Sequence, residues 1–110
     1  MDLHDIPFTV TDWQDVPSME QKGETGTSFW RVFEAGNLRV RMADYSPGFR
    51  SDHWCPKGHV FLVLEGEFVV TFKDGRNFTL RAGMSFQAAD DAASPHCGSS
   101  GNGARAFIVD

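Results

Sequence analysis

A single-domain all-β barrel or sandwich is the fold class that this 110-residue sequence predicts, on three observations. Short stretches of strand-forming residues recur at regular spacing, turn residues separate them, and no stretch carries a convincing helical periodicity. The composition agrees, because ten Phe with many Val and Thr favour strands while eleven Gly and five Pro punctuate them. A chain of this length buries one core without needing disulfides or a structural metal.

Taken in order, the elements begin at residues 29–33 and 38–42, which alternate or nearly alternate apolar with polar side chains. Ala35-Gly36-Asn37 between them supplies turn residues, so they read as an antiparallel pair. Ser46-Pro47-Gly48 and Pro56-Lys57-Gly58 break the chain before and inside a cluster of His and Cys. The strand that follows His59 is apolar at every position from Val60 to Leu64, which predicts cover on both faces, one of them by a partner sheet or subunit. Glu65-Gly66-Glu67 is expected to turn it into a strand over 68–72.

Lys73-Asp74-Gly75-Arg76 is the strongest hairpin signal, since Asp-Gly tolerates the positive φ values of a two-residue type I′ turn. Strands over 77–80, 84–88 and 104–109 follow, separated by the turn Arg81-Ala82-Gly83, an irregular loop over 89–95 and a flexible segment over 99–103.

The net charge of −5 falls entirely within residues 1–24, where six acidic side chains face one lysine; the remainder is neutral. With no basic patch, nucleic acid is not expected as a partner. No apolar run approaches the roughly 20 residues of a membrane span, and the start Met1-Asp2-Leu3-His4-Asp5 is too polar for a signal peptide. A cytoplasmic protein with Cys55 and Cys97 as free thiols is the expectation.

The chemistry is concentrated in His53-Trp54-Cys55-Pro56-Lys57-Gly58-His59. Imidazole and thiolate hold late transition metals, and residues two apart on a strand face the same way. These residues, with their spacing to Gly48 and Gly66, resemble the first motif of the cupins, and more narrowly the small bacterial proteins named for a DHCW-motif cupin fold. This sequence reads Gly48, four residues, His53-x-Cys55, three residues, His59, six residues, Gly66. A second motif opens at Gly83, with Ala89 in the usual Pro place, Ser94-Pro95-His96 supplying the histidine, and Ser100 where Asn is usual.

The resemblance covers residues 38–109 and implies a double-stranded β-helix, or jelly-roll barrel, over 38–110. Residues 1–37 form an N-terminal extension with the first strands and a candidate dimer contact. The four metal-ligand places it implies are His53, Cys55, His59 and His96, a set rich in N and S donors that suits a divalent transition metal such as zinc, iron or nickel. Tyr45, Phe61, Phe86 and Gln87 are candidate pocket residues, and no catalytic acid or base is evident.

Two functions stand side by side. One is a metal-dependent enzyme on a small organic molecule, an oxygenase, isomerase or hydrolase; the other is a noncatalytic small-molecule or metal-binding module, or a structural zinc site. A homodimer is expected, because residues such as Ile6, Phe8 and Trp13 add apolar surface beyond what a small core uses.

Overall fold

A computed structural model describes residues 2–110; of the N-terminal extension, only Met1 lies outside it. After a 3-10 turn at Trp13–Asp15, the described residues form nine strands: β1 (Met19–Lys22), β2 (Thr27–Ala35), β3 (Leu38–Tyr45), β4 (Phe49–Arg50), β5 (His59–Phe72), β6 (Asn77–Arg81), β7 (Ser85–Ala88), β8 (His96–Ser100) and β9 (Ala104–Val109). They pair antiparallel in the order β1-β2-β3-β9-β5-β8-β4, with β6 and β7 also on β5.

The long strand β5 makes the barrel. Its first half pairs with β7 and β9, and its second half with β6 and β8, so one strand serves both walls. The handover is not the turn expected at Glu65-Gly66-Glu67 but a bulge between Val63 and Glu65, with Gly66 at φ +75°. A bulge bends a strand without ending it, and glycine takes this backbone conformation without a Cβ clash. A Cβ at Gly66 would run into the Gly103 carbonyl oxygen. Gly66→Ala is therefore expected to lose about 1–3 kcal/mol from the backbone conformation alone, with the clash added. A denaturant midpoint equal to wild type would refute this role for the bulge.

Alternation along the strands puts Ala43, Phe61, Val63, Phe68, Val70, Leu80, Ala106 and Ile108 into one buried cluster between the walls. On the outer face of β5, Val60 and Leu64 are each 39 % exposed, so this chain by itself leaves open the face that the apolar run was expected to cover.

Two further expectations are corrected. The hairpin after β5 is not a two-residue type I′ turn. Phe72 accepts from the Gly75 N–H at 3.0 Å, the Phe72 N–H bonds the Arg76 carbonyl, and only Gly75 has positive φ. This is a three-residue loop closed by glycine, with the Asp74 side chain accepting from the Arg76 N–H. Ser99 and Ser100 are not flexible, because they belong to β8, and the Ser100 hydroxyl donates to the Glu67 carbonyl at 2.6 Å inside the barrel. Strand β1, too polar to read as a strand, is held by its pairing with β2.

The N-terminal segment is tied to the sheet. The Arg31 guanidinium donates to the carbonyls of Trp13 at 2.7 Å and Val16 at 3.0 Å, and the Trp13 ring stands edge-on to Phe107. His4 lies over the β2–β3 turn, its N–H donating to Asn37 Oδ1, far in sequence from the His and Cys cluster.

Candidate functional site

One mouth of the barrel opens on a cavity of about 340 Å³, walled by Phe61, Phe68, Phe86 and Tyr45 and edged by polar side chains from β2, β3, β5, β8, the 51–57 loop and Asp110. Its geometry follows from strand register. Inward positions of β5 carry His59 and Phe61, and His96 opens β8. The two imidazoles meet edge to face, with their Nε2 atoms 3.2 Å apart.

Both rings are buried. His59 is pushed down to about pKa 4, first by burial and then by the neighbouring His96 charge, and burial also lowers His96. At neutral pH this is a pair of uncharged imidazoles whose nitrogens are free to act as ligands or to share one proton.

Cys55 joins them through the backbone. It and His96 exchange both main-chain hydrogen bonds in an isolated bridge, and residues directly opposite in such a pair project to the same side. Cys55 is half-buried and lines the cavity. His53 stands at the rim with its side chain 69 % exposed, and its Nδ1 lies 2.8 Å from the Asp52 carboxylate. The hydrogen bond from His53 holds the Asp52 carboxyl below its usual pKa.

All four residues expected as ligands thus border one cavity, but only His59 and His96 are in contact. Among the described residues no three His, Cys, Asp or Glu side chains gather closely enough to hold an ion.

Of the candidate pocket residues, Tyr45, Phe61 and Phe86 line the cavity. Phe61 and Phe86 stack with centroids 5.2 Å apart, and Tyr45 packs on Phe68 at 4.8 Å, where burial raises its phenol pKa. Gln87 does not line it. It pairs with Val60 on the outward side of β7, and its Oε1 accepts from the Ser85 hydroxyl at 2.7 Å.

Residues the motifs did not point to complete the wall. Arg41 is 6 % exposed and stacks on the Trp30 ring at 4.6 Å. Arg39 grips the Asp110 carboxylate through Nε at 2.9 Å and Nη2 at 2.7 Å, and Arg41 adds a third contact at 3.1 Å. Burial alone would raise the Asp110 carboxyl, but the Arg39 hydrogen bond and both guanidinium charges outweigh it and hold the pKa below normal. Burial lowers Arg41. The available signal was parity: Arg39 and Arg41 share a strand face with Ala43 and Tyr45, and that face points inward.

Among solved structures, an RmlC-like cupin from Shewanella frigidimarina superposes with a TM-score of 0.74 over 96 % of this chain and 92 % of its own, at 18 % identity. The fold is that of the cupins. A predicted oxalate decarboxylase from Thermotoga maritima matches this cupin barrel with a TM-score of 0.76 over 92 % of this chain and 96 % of that one, at 13 % identity. Ectoine synthase from P. lautus gives 0.74 over 93 % and 76 %, also at 13 % identity. No protein-family model and no curated protein matches the sequence. No helix among the described residues is long and apolar enough to cross a membrane.

Proposed function

We propose that this chain is a metal-dependent cupin acting on a small organic molecule bound in the barrel cavity, with His59 and His96 as the core of the metal site. The observation that carries the reading is the facing Nε2 pair at 3.2 Å between two buried imidazoles held neutral. Two nitrogens that each bond a zinc-like ion at about 2.0–2.1 Å lie roughly 3 Å apart, so the spacing suits shared ligation. Cys55 projects from the position opposite His96, and the Asp52 carboxylate on His53 Nδ1 leaves Nε2 of that ring free, as outer carboxylates do for metal-bound histidines.

His59, His96, Cys55 and His53 would hold the ion. The donor set fits zinc, iron or nickel and makes magnesium or calcium a poor match. Such an ion supplies Lewis acidity toward a ligand oxygen or activates a bound water. The aromatic wall excludes water and orients the organic ligand. The Asp52-His53-Trp54-Cys55 stretch supports placing the chain with the DHCW-motif cupins. The cupin neighbours include an ectoine synthase and a predicted oxalate decarboxylase, which supports catalysis over a purely structural ion.

Metal analysis of untagged protein purified without added metal tests the reading. About one transition-metal ion per chain is expected. His59→Ala and His96→Ala should each weaken binding by more than the roughly 10–100-fold expected for Asp52→Asn, which changes only an outer partner. Metal-free wild type that binds none of the three ions, or unchanged metal content in both histidine variants, would sink it.

Assembly as a homodimer is part of the same proposal. Phe8 is 96 % and Val10 83 % exposed on the N-terminal segment, and Val60 and Leu64 lie open on the outer face of β5. A second copy covering these surfaces would bury at least about 1,000 Å². Sedimentation at micromolar concentration is expected to give twice the chain mass, with Phe8→Ser shifting it toward the monomer; a wild-type monomer would refute the assembly.

A further inference from the structure

Among the described residues, three buried side-chain polar atoms have no hydrogen-bond partner: Trp30 Nε1, Arg41 Nε and His59 Nδ1. All three belong to residues that line the one cavity described above. Indole and guanidinium nitrogens carry hydrogens and accept nothing, so Trp30 and Arg41 present two donors without acceptors. Buried donors are nearly always satisfied, so these two call for an acceptor supplied by the contents of the cavity.

The pair is built by strand pairing. Trp30 stands opposite Ala43, and Val32 opposite Arg41, so Trp30 and Arg41 are diagonal neighbours on the inward face of β2 and β3. Arg41 spends one Nη on Asp110 and keeps Nε unused, while the indole ring under its guanidinium fixes its plane.

The local charge has a sign. Two guanidinium groups, Arg39 and Arg41, share the single side-chain carboxylate of Asp110. Both guanidinium groups stand at the polar end of a cavity whose other walls are aromatic.

We infer that this end of the cavity is a carboxylate subsite, in which the acid group of a small aromatic or aliphatic monocarboxylate accepts from Trp30 Nε1–H and Arg41 Nε–H while its apolar body lies against Phe61 and Phe86. The inference rests on the ligand cavity of the proposed function and names its substrate class. A cavity of about 340 Å³ lies at the small end of organic-ligand sites, which favours a single-ring or short-chain acid.

Calorimetry with benzoate and phenylacetate, against benzamide, phenylacetamide and inorganic phosphate, tests the subsite on full-length protein, both chelator-treated and metal-loaded. The acids are expected to bind roughly tenfold or more tightly than the matching amides, and more tightly than phosphate, which the aromatic walls do not suit. Trp30→Phe keeps the ring and removes the N–H, and it should weaken acid binding by a similar factor while leaving amide binding and metal content unchanged. Its thermal midpoint should equal or exceed wild type, because the lost donor had no partner. Arg41→Lys, which keeps the charge but not Nε–H, should likewise weaken acid binding.

Acid binding that survives metal removal and falls in Trp30→Phe supports the subsite even where no metal is found. Acid binding that disappears with the metal and ignores Trp30→Phe overturns it and leaves the metal site standing. Equal affinity for acid and amide, or no binding of any probe, also overturns it.

Discussion

Phe61→Ala is expected to destabilise the barrel by about 3–5 kcal/mol, the largest single-residue effect foreseen. Phe61 is 3 % exposed at the centre of the aromatic cluster, with ring centroids 4.6 Å from Phe68 and 5.2 Å from Phe86. Truncation loses the buried ring and leaves a hole that strands paired on both sides cannot collapse to fill. Since domains of this size are stable by about 5–15 kcal/mol, the variant should sit near the edge of folding. Phe61 is also a cavity wall beside His59, at 6.4 Å between ring centroids, so the surviving folded fraction should hold the metal and any aromatic ligand more weakly. Chemical denaturation measures the loss; a change below about 1 kcal/mol would show that Phe61 is not the keystone of the cluster.

Acid should unfold the metal-free protein earlier than its carboxylates alone require. His59 titrates near 4 in the folded chain and near 6.5 when unfolded, so above pH 6.5 it is neutral in both states and has no effect on stability. Below 6.5 the unfolded chain takes up a proton that the folded chain refuses, and stability falls as pH drops from 6.5 to about 4. The full cost is about 3 kcal/mol at the acid end of that window, with His96 adding in the same direction. Asp110, whose carboxyl is held below its usual value, loses its contribution only at still lower pH. His59→Phe should flatten the stability profile between pH 6.5 and 4 relative to wild type. Parallel profiles for the two proteins would disprove the assignment, and bound metal should steepen the wild-type profile by adding proton competition for the ligands.

The β-class of the fold and its hairpins were legible because turn chemistry and strand propensity are local. Gly36-Asn37 forms the β2–β3 turn, and Gly75 the one after β5, where the residue types demand them. The site was legible in part for the same reason. His59 and His96 come together, Cys55 faces the same cavity, and the spacing motif that pointed to them is a record of strand register.

Arg39 and Arg41 were harder. Alternation over 38–42 marks two faces but not which one is inside, and the apolar set Val40 and Met42 invited the opposite assignment. In the barrel the charged set points inward, because the interior at that end is a site rather than a core, and Trp13 and Phe107 lie on the outer face. Gln87 failed by the same parity, since one step along a strand moves a side chain to the other wall.

Residue types and their spacing by themselves determined that this chain forms short antiparallel strands, that it gathers His and Cys near one end of them, and that residues 1–24 carry the negative charge. Only the tertiary structure decided which strand faces close the cavity. It decided, too, that the Val63–Glu65 bulge carries β5 from one wall to the other, and that Trp30, Arg41 and Asp110, far apart in sequence, stand beside the histidines. The physical reason is that local propensity acts over a few residues, while the inward face of each strand is set by non-local pairing: β3 against β9, β9 against β5, and β5 against β8.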